Sequence, residues 1–84
     1  MSDKPVFFVQ AFAMKRGRLV PGEKAVAPTG AGALKRAEAL ATRSPGAAAV
    51  SIVADPETGE VQKAEILGTF GQVPEDFAES LTAA

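Results

Sequence analysis

Apolar residues crowd both sides of the run Val6–Lys15. In an extended chain Val6, Phe8, Phe12 and Met14 fall on one side, and Phe7, Val9, Ala11 and Ala13 on the other. Two-sided apolarity predicts a central strand or one covered on both faces. Arg16-Gly17 supplies a tight turn, and a second strand begins at Arg18. Pro21-Gly22 interrupts that strand, which places it at a sheet edge or at a bulge, with pairing resumed through Lys24–Ala27. The spacing then changes. Leu34, Ala37, Leu40 and Ala41 recur at helical intervals within residues 31–43, while Lys35, Arg36, Glu38 and Arg43 fall away from that stripe. Thr29 is the expected N-cap, Ser44-Pro45-Gly46 the stop, and Arg43 is expected in the last turn.

Residues 47–71 return to period two as a hairpin around Asp55-Pro56-Glu57-Thr58-Gly59, with Asp55 and Thr58 bonding local backbone. A four-residue loop pairing Asp55 with Glu60 puts Val50 opposite Glu65. A glycine bulge at Gly59 instead puts Val50 opposite Ala64 and Ala48 opposite Ile66. The bulged register gathers Ala48, Val50, Ile52, Ala64 and Ile66 on one face and leaves Ser51, Lys63 and Glu65 on the other, so it is the register expected. Pro74 is then expected to open a short second helix with Phe77 and Leu81 four residues apart. The predicted fold class is α+β: β-β-α-β-β-α order, a four-stranded, mostly antiparallel sheet, one main helix packed on a face and a short C-terminal helix. Residues 4–82 are expected to form a single small α+β domain, with residues 1–3 and 83–84 as frayed termini.

Length adds a bound. An 84-residue chain buries about 60–65% of its unfolded surface, enough for one modest core. At 46% apolar residues with five Phe it folds, but much of that fraction is alanine, which contributes little burial. The run Val6–Met14 is broken by Gln10 and has no cleavage site after it, so a buried strand is expected rather than a signal peptide, and a cytoplasmic location with it. No stretch has the length of a membrane span.

Charge is distributed unevenly. Residues 1–44 hold eight Lys and Arg against three acidic residues, whereas residues 45–84 hold Lys63 against seven. Lys15, Arg16, Arg18, Lys35, Arg36 and Arg43 form the candidate polyanion-binding set, since Arg forks onto phosphate oxygens and Gly17 permits close backbone approach. The acidic turn lacks calcium-loop spacing. Thr29-Gly30-Ala31-Gly32-Ala33 lacks the Gly-Lys-Ser/Thr ending of a phosphate loop. With no His and no Cys, the commonest general base, metal ligand and thiolate are missing. No catalytic residue, metal site or cofactor is assigned.

Phe8-Val9-Gln10-Ala11-Phe12 resembles the opening strand of peptidoglycan-binding SPOR-type repeats. Those repeats place a helix directly after that strand, where this chain places a hairpin, and no residue role is carried over. The functional expectation is a non-enzymatic interaction or regulatory module acting through protein–protein contacts or self-association, as a homodimer through the sheet. Phe7 and Val9 are its candidate interface residues if both helices cover the other face. The alternative is a nucleic-acid or other polyanion-binding protein using the basic set.

Overall fold

The computed structural model describes residues 5–77. Their order is β1 (Val6–Lys15), β2 (Arg18–Ala27), α1 (Gly30–Leu40), β3 (Gly46–Ala54) and β4 (Val61–Gly71). The four strands form one sheet in the order β2-β1-β3-β4, antiparallel throughout. The two-sided apolar run thus becomes a central strand, and the strand carrying Pro21 becomes an edge. Its bulge lies between the pairs Gln10–Lys24 and Phe12–Pro21, so Ala11 faces both Gly22 and Glu23. Proline has no N–H to give a ladder, and the irregularity at this edge accommodates it.

Thr29 caps α1, its Oγ1 accepting the Gly32 N–H at 2.9 Å. The helix stops at Leu40, short of the expected residue 43. Arg43 N–H closes on the Leu40 carbonyl, and the Thr42 hydroxyl takes the Ala39 carbonyl at 2.7 Å, tightening the chain out of the α-helix. Arg43 therefore lies past the last helical turn.

α1 crosses the face that carries Val9, Ala11, Ala27, Ala47 and Ala49, and buries Ala33, Ala37 and Leu40 against them. Alanine on both surfaces lets the helix approach closely, and the larger Phe7, Leu34, Leu67 and Phe70 pack around that seam. The opposite face holds Phe8, Phe12, Ala48, Val50 and Phe77 as a second cluster.

Sequence register for β3–β4 is corrected in its pairing and upheld in its faces. Asp55 N–H bonds the Glu60 carbonyl, giving the four-residue loop, with Gly59 at φ +76° as its last residue rather than as a bulge. Asp55 Oδ1 accepts the Glu57 N–H at 2.8 Å, and Thr58 Oγ1 the Glu60 N–H at 3.2 Å. Two irregularities follow on β4, one between the pairs Ala54–Val61 and Val53–Lys63, the other between Val50–Ile66 and Ala49–Gly68. The first adds Gln62 as an extra residue and brings Val50 opposite Ile66 and Ile52 opposite Ala64. This register differs from the expected one by two residues, and a two-residue shift leaves every side chain on its face. The second adds Leu67 on the helix face and flips the residues after it, so that Phe70, opposite Ala47, also packs toward α1.

A second helix from Pro74 is not among the described elements. Residues 72–74 are irregular and Glu75-Asp76 form a turn, closed by the Phe77 N–H on the Pro74 carbonyl at 3.1 Å. Phe77 takes the first helical position, three residues later than expected, and the residues after it lie outside those described. What holds the segment is Phe77, whose ring meets Phe12 edge to face at 5.0 Å. The expected partner of Phe77, Leu81, lies outside the described residues.

Candidate functional site

Strand order decides where the charges go. β1 continues three residues past the end of β3, since Phe12 pairs with Gly46 and nothing pairs with Ala13–Lys15 on that side. Lys15, Arg16 and Arg18 therefore sit at the tip of a two-stranded arm. β3 runs antiparallel to β1, so its own hairpin projects past Val6 at the other end and carries Asp55, Glu57 and Glu60. The molecule measures 43 Å along its longest axis, several times the roughly 8 Å over which charges act at physiological salt. The two arms do not neutralise each other within one chain. The basic tip presents three cations to solvent, and the acidic turn Glu57 and Glu60 beside a half-buried Asp55, with Lys63 at the base of that arm.

The arm tip is strained at one residue. Arg16 has φ 52° and Gly17 φ 77°, the paired positive angles of a type I′ hairpin turn, in which Asn-Gly is the favoured pair. Replacing Arg16 by Asn is expected to raise stability by about 0.5–1 kcal/mol, because Asn tolerates the left-handed region better. A urea midpoint measured beside wild type checks this; an unchanged or lower midpoint would mean that the arginine is unstrained or held by contacts of its own.

The rest of the basic set does not join the tip. Lys35 and Arg36 lie exposed on α1, and Arg43 pairs with Glu23 at 3.5 Å. Arg36 and Arg43 do line one shallow concavity at the end of the helix, together with Thr42. A helix C-terminus presents carbonyl oxygens, which favour cations, so this concavity suits the arginines themselves and not an anion.

Phe7 and Val9 do not form an open surface. Val9 is fully buried beneath α1, and Phe7 packs against the same cluster. The helix covers this row because β1 presents small residues there beside Ala47 and Ala49, which permit close approach. Large exposed apolar side chains are found on the other face: Val6 (51% exposed), Met14 (48%), Val26 (70%) and Val61 (38%). Val26 pairs with Phe8, Met14 with Leu19, Val6 with Ile52 and Val61 with Ala54, so all four share the face opposite the helix.

That same face contains a cavity of about 400 Å³. Phe8, Phe12 and Leu19 wall it from the sheet, and Pro74 and Phe77 from above. Gln10 lines it and is the one buried polar side chain among the described residues, at 9% exposure. Its Nε2 donates to the carbonyls of Ala11 (2.8 Å), Gly22 (3.1 Å) and Glu23 (3.3 Å), so the amide satisfies the carbonyls that the β2 bulge displaces. The Lys24 Nζ lies 4.5 Å from the centre of the Phe8 ring. In the sequence Gln10 registers only as a break in an apolar run; the available signal was its position across the hairpin from Pro21-Gly22.

Comparison with protein-family models, with curated proteins and with solved structures finds no match. No helix among the described residues is long and apolar enough to cross a membrane.

Proposed function

We propose that the chain is a non-enzymatic interaction module whose partner is a second copy of itself, docked face to face about a two-fold axis. The observation that carries this is the gathering of Val6, Met14, Val26 and Val61 on the sheet face that lacks the helix, between arms of opposite charge. Antiparallel docking lays the Met14–Leu19 surface of one arm on the Val6–Val26–Val61 surface of the partner. It also brings Lys15, Arg16 and Arg18 toward the partner's acidic turn, both arms being used twice. Apolar contact supplies affinity in such an arrangement, and the charges set orientation and encounter rate. Pairing along the sheet edges is less suited, since β2 carries Pro21 and a bulge and β4 carries Lys63, Glu65 and two irregularities. A chain with no cysteine works without an oxidising compartment, and the cytoplasm fits it.

Sedimentation equilibrium tests the reading. Wild type is expected as a dimer, and both Val26→Asp and the pair Arg16→Glu with Arg18→Glu as monomers. Adding Glu57→Lys and Glu60→Lys to the arm reversal should restore the dimer, because complementarity then returns with the signs exchanged. A wild type that sediments as a monomer at low salt overturns the proposal, as does a dimer indifferent to all of these changes.

A second reading is supported by the strained Arg16 at the tip of a projecting cationic arm: binding of a nucleic acid or other polyanion. Mixed-sequence DNA then produces salt-sensitive amide shifts confined to the arm, and Arg16→Ala with Arg18→Ala lowers the salt slope by about two. The lysine substitutions in the acidic turn leave that binding intact while they break the self-association.

A further inference from the structure

We propose that the cavity beside Gln10 is a binding site for a free aromatic α-amino acid whose ring carries an N–H, with tryptophan as the best fit. Four features converge there. The walls are aromatic and apolar, from Phe8, Phe12 and Phe77, and the volume of about 400 Å³ suits one ring system with a short polar head. Gln10 is the only polar side chain buried in those walls. Its Nε2 is committed to three backbone carbonyls, so its Oε1, which is open to solvent and takes no hydrogen bond among the described residues, is the atom left to receive a donor from the cavity. A ring N–H meets that acceptor; a plain phenyl ring leaves it without a partner, and unmatched polar groups discriminate strongly.

Lys24 and Asp76 complete the set. Both line the cavity, and neither belongs to a salt bridge among the described residues, where the pairs are Arg43–Glu23 and Lys63–Glu65. A ligand with only a carboxylate satisfies Lys24 and meets repulsion from Asp76. A ligand with only an ammonium has the reverse problem. An α-amino acid carries both charges on one carbon, its carboxylate to Lys24 and its ammonium to Asp76, while the ring lies among the phenylalanines. The Lys24 ammonium already rests over the Phe8 ring, so the cation is held near the mouth of the cavity. The site uses none of the charged side chains of the arms, and shares only Leu19 with the basic one.

An amide NMR titration of the whole chain tests this with four probes: L-tryptophan, L-phenylalanine, indole and indole-3-propionate. Tryptophan is expected to give saturable shifts at Phe8, Gln10, Lys24 and Asp76 with a Kd on the order of 1 mM or tighter, the scale reached by efficient ligands of this size. Phenylalanine is expected to bind more weakly for want of the ring donor, and indole and indole-3-propionate more weakly for want of one or both charges. Lys24→Met should weaken tryptophan by about threefold, as loss of an exposed ion pair does, and leave indole unaffected. Asp76→Asn should bring indole-3-propionate level with tryptophan. Gln10→Leu should remove the preference for tryptophan over phenylalanine. Absence of saturable shifts with all four probes at up to about 5 mM overturns the site. Indole binding as tightly as tryptophan, unchanged in Lys24→Met, overturns the amino-acid assignment.

Discussion

Gly46→Ala is expected to cost about 3 kcal/mol or more and to leave the chain largely unfolded at elevated temperature. A Cβ at Gly46 would enter the backbone of Gln72, whose N–H is itself bonded to the Pro45 carbonyl at 2.9 Å. Neither wall can yield. The Gln72 side is fixed by Gly71, which pairs with Gly46, has φ +73° and lies so close to Pro45 that its own Cβ would sit 2.5 Å from the Pro45 carbonyl oxygen. Overpacking against a side chain is relieved by a change of rotamer; overpacking against hydrogen-bonded backbone breaks the ladder. An 84-residue domain has roughly 4–13 kcal/mol of stability in total, so the loss is a large share of it. Gly22→Ala is the control. Nearest neighbours of its added Cβ start at 3.5 Å, an ordinary contact, and its φ is unexceptional. That change is expected to be neutral or to stabilise by up to about 1 kcal/mol, through lower entropy of the unfolded chain. Thermal melts of both variants decide the matter, at roughly 4–8 °C per kcal/mol for a domain of this size. A Gly46→Ala protein that melts with wild type would show that β3 and β4 do not close as described.

Phe12→Ala is expected to be nearly as damaging, at about 3–5 kcal/mol. Phe12 is 2% exposed, stands on the central strand, and has two compact neighbours across the ladder, Pro21 and Gly46. Its ring therefore covers both adjoining strands and meets the Phe77 ring at right angles. Much of the remaining core is alanine, so one aromatic ring is a large part of the apolar area removed from water. Urea midpoints of Phe12→Ala, Phe77→Ala and the double variant measure the whole and the part. The ring–ring contact should appear as a coupling of about 0.5–1.5 kcal/mol. A fully additive pair would mean that Phe77 does not rest on Phe12.

Which features were legible along the chain follows from the range of the interaction behind each. Thr29 as a cap, Arg16-Gly17 as a turn and the Asp55 and Thr58 bonds in the second hairpin all concern groups within a few residues of each other. The edge position of Pro21 was legible because a missing N–H excludes a central ladder position whatever the neighbours are. The helix end was misplaced because a lysine- and arginine-rich stretch continues to look helical to residue 43, while Thr42 and the tightened turn stop it at Leu40. Gly59 was read as a bulge because its freedom to take positive φ suits a bulge and a loop end equally. The extra residue entered at Gln62, a position with no mark of its own. Of the candidate sites, the cationic tip was visible as three charges about a glycine. The cavity was not, since it joins Phe8, Gln10 and Phe12 to Leu19, Lys24 and residues 74–77 from three separate parts of the chain.

By itself the sequence determined five elements in order, the faces of the β3–β4 hairpin as far as Ile66, and a positive half followed by a negative half. Those are consequences of periods of two and 3.6 residues and of simple counting, and they need no knowledge of contacts. Only the tertiary structure decided that β1 and β3 are the neighbours at the centre of the sheet. That antiparallel pairing sends the two hairpins to opposite ends and turns a charge imbalance along the chain into charged arms in space. Tertiary packing also decided that α1 lies over Val9 and not over Phe8. Both rows of β1 are apolar, so the strand itself has no preference. The choice falls to the small side chains of Ala11, Ala47 and Ala49, which let the helix come close on one face and leave the phenylalanines to the other.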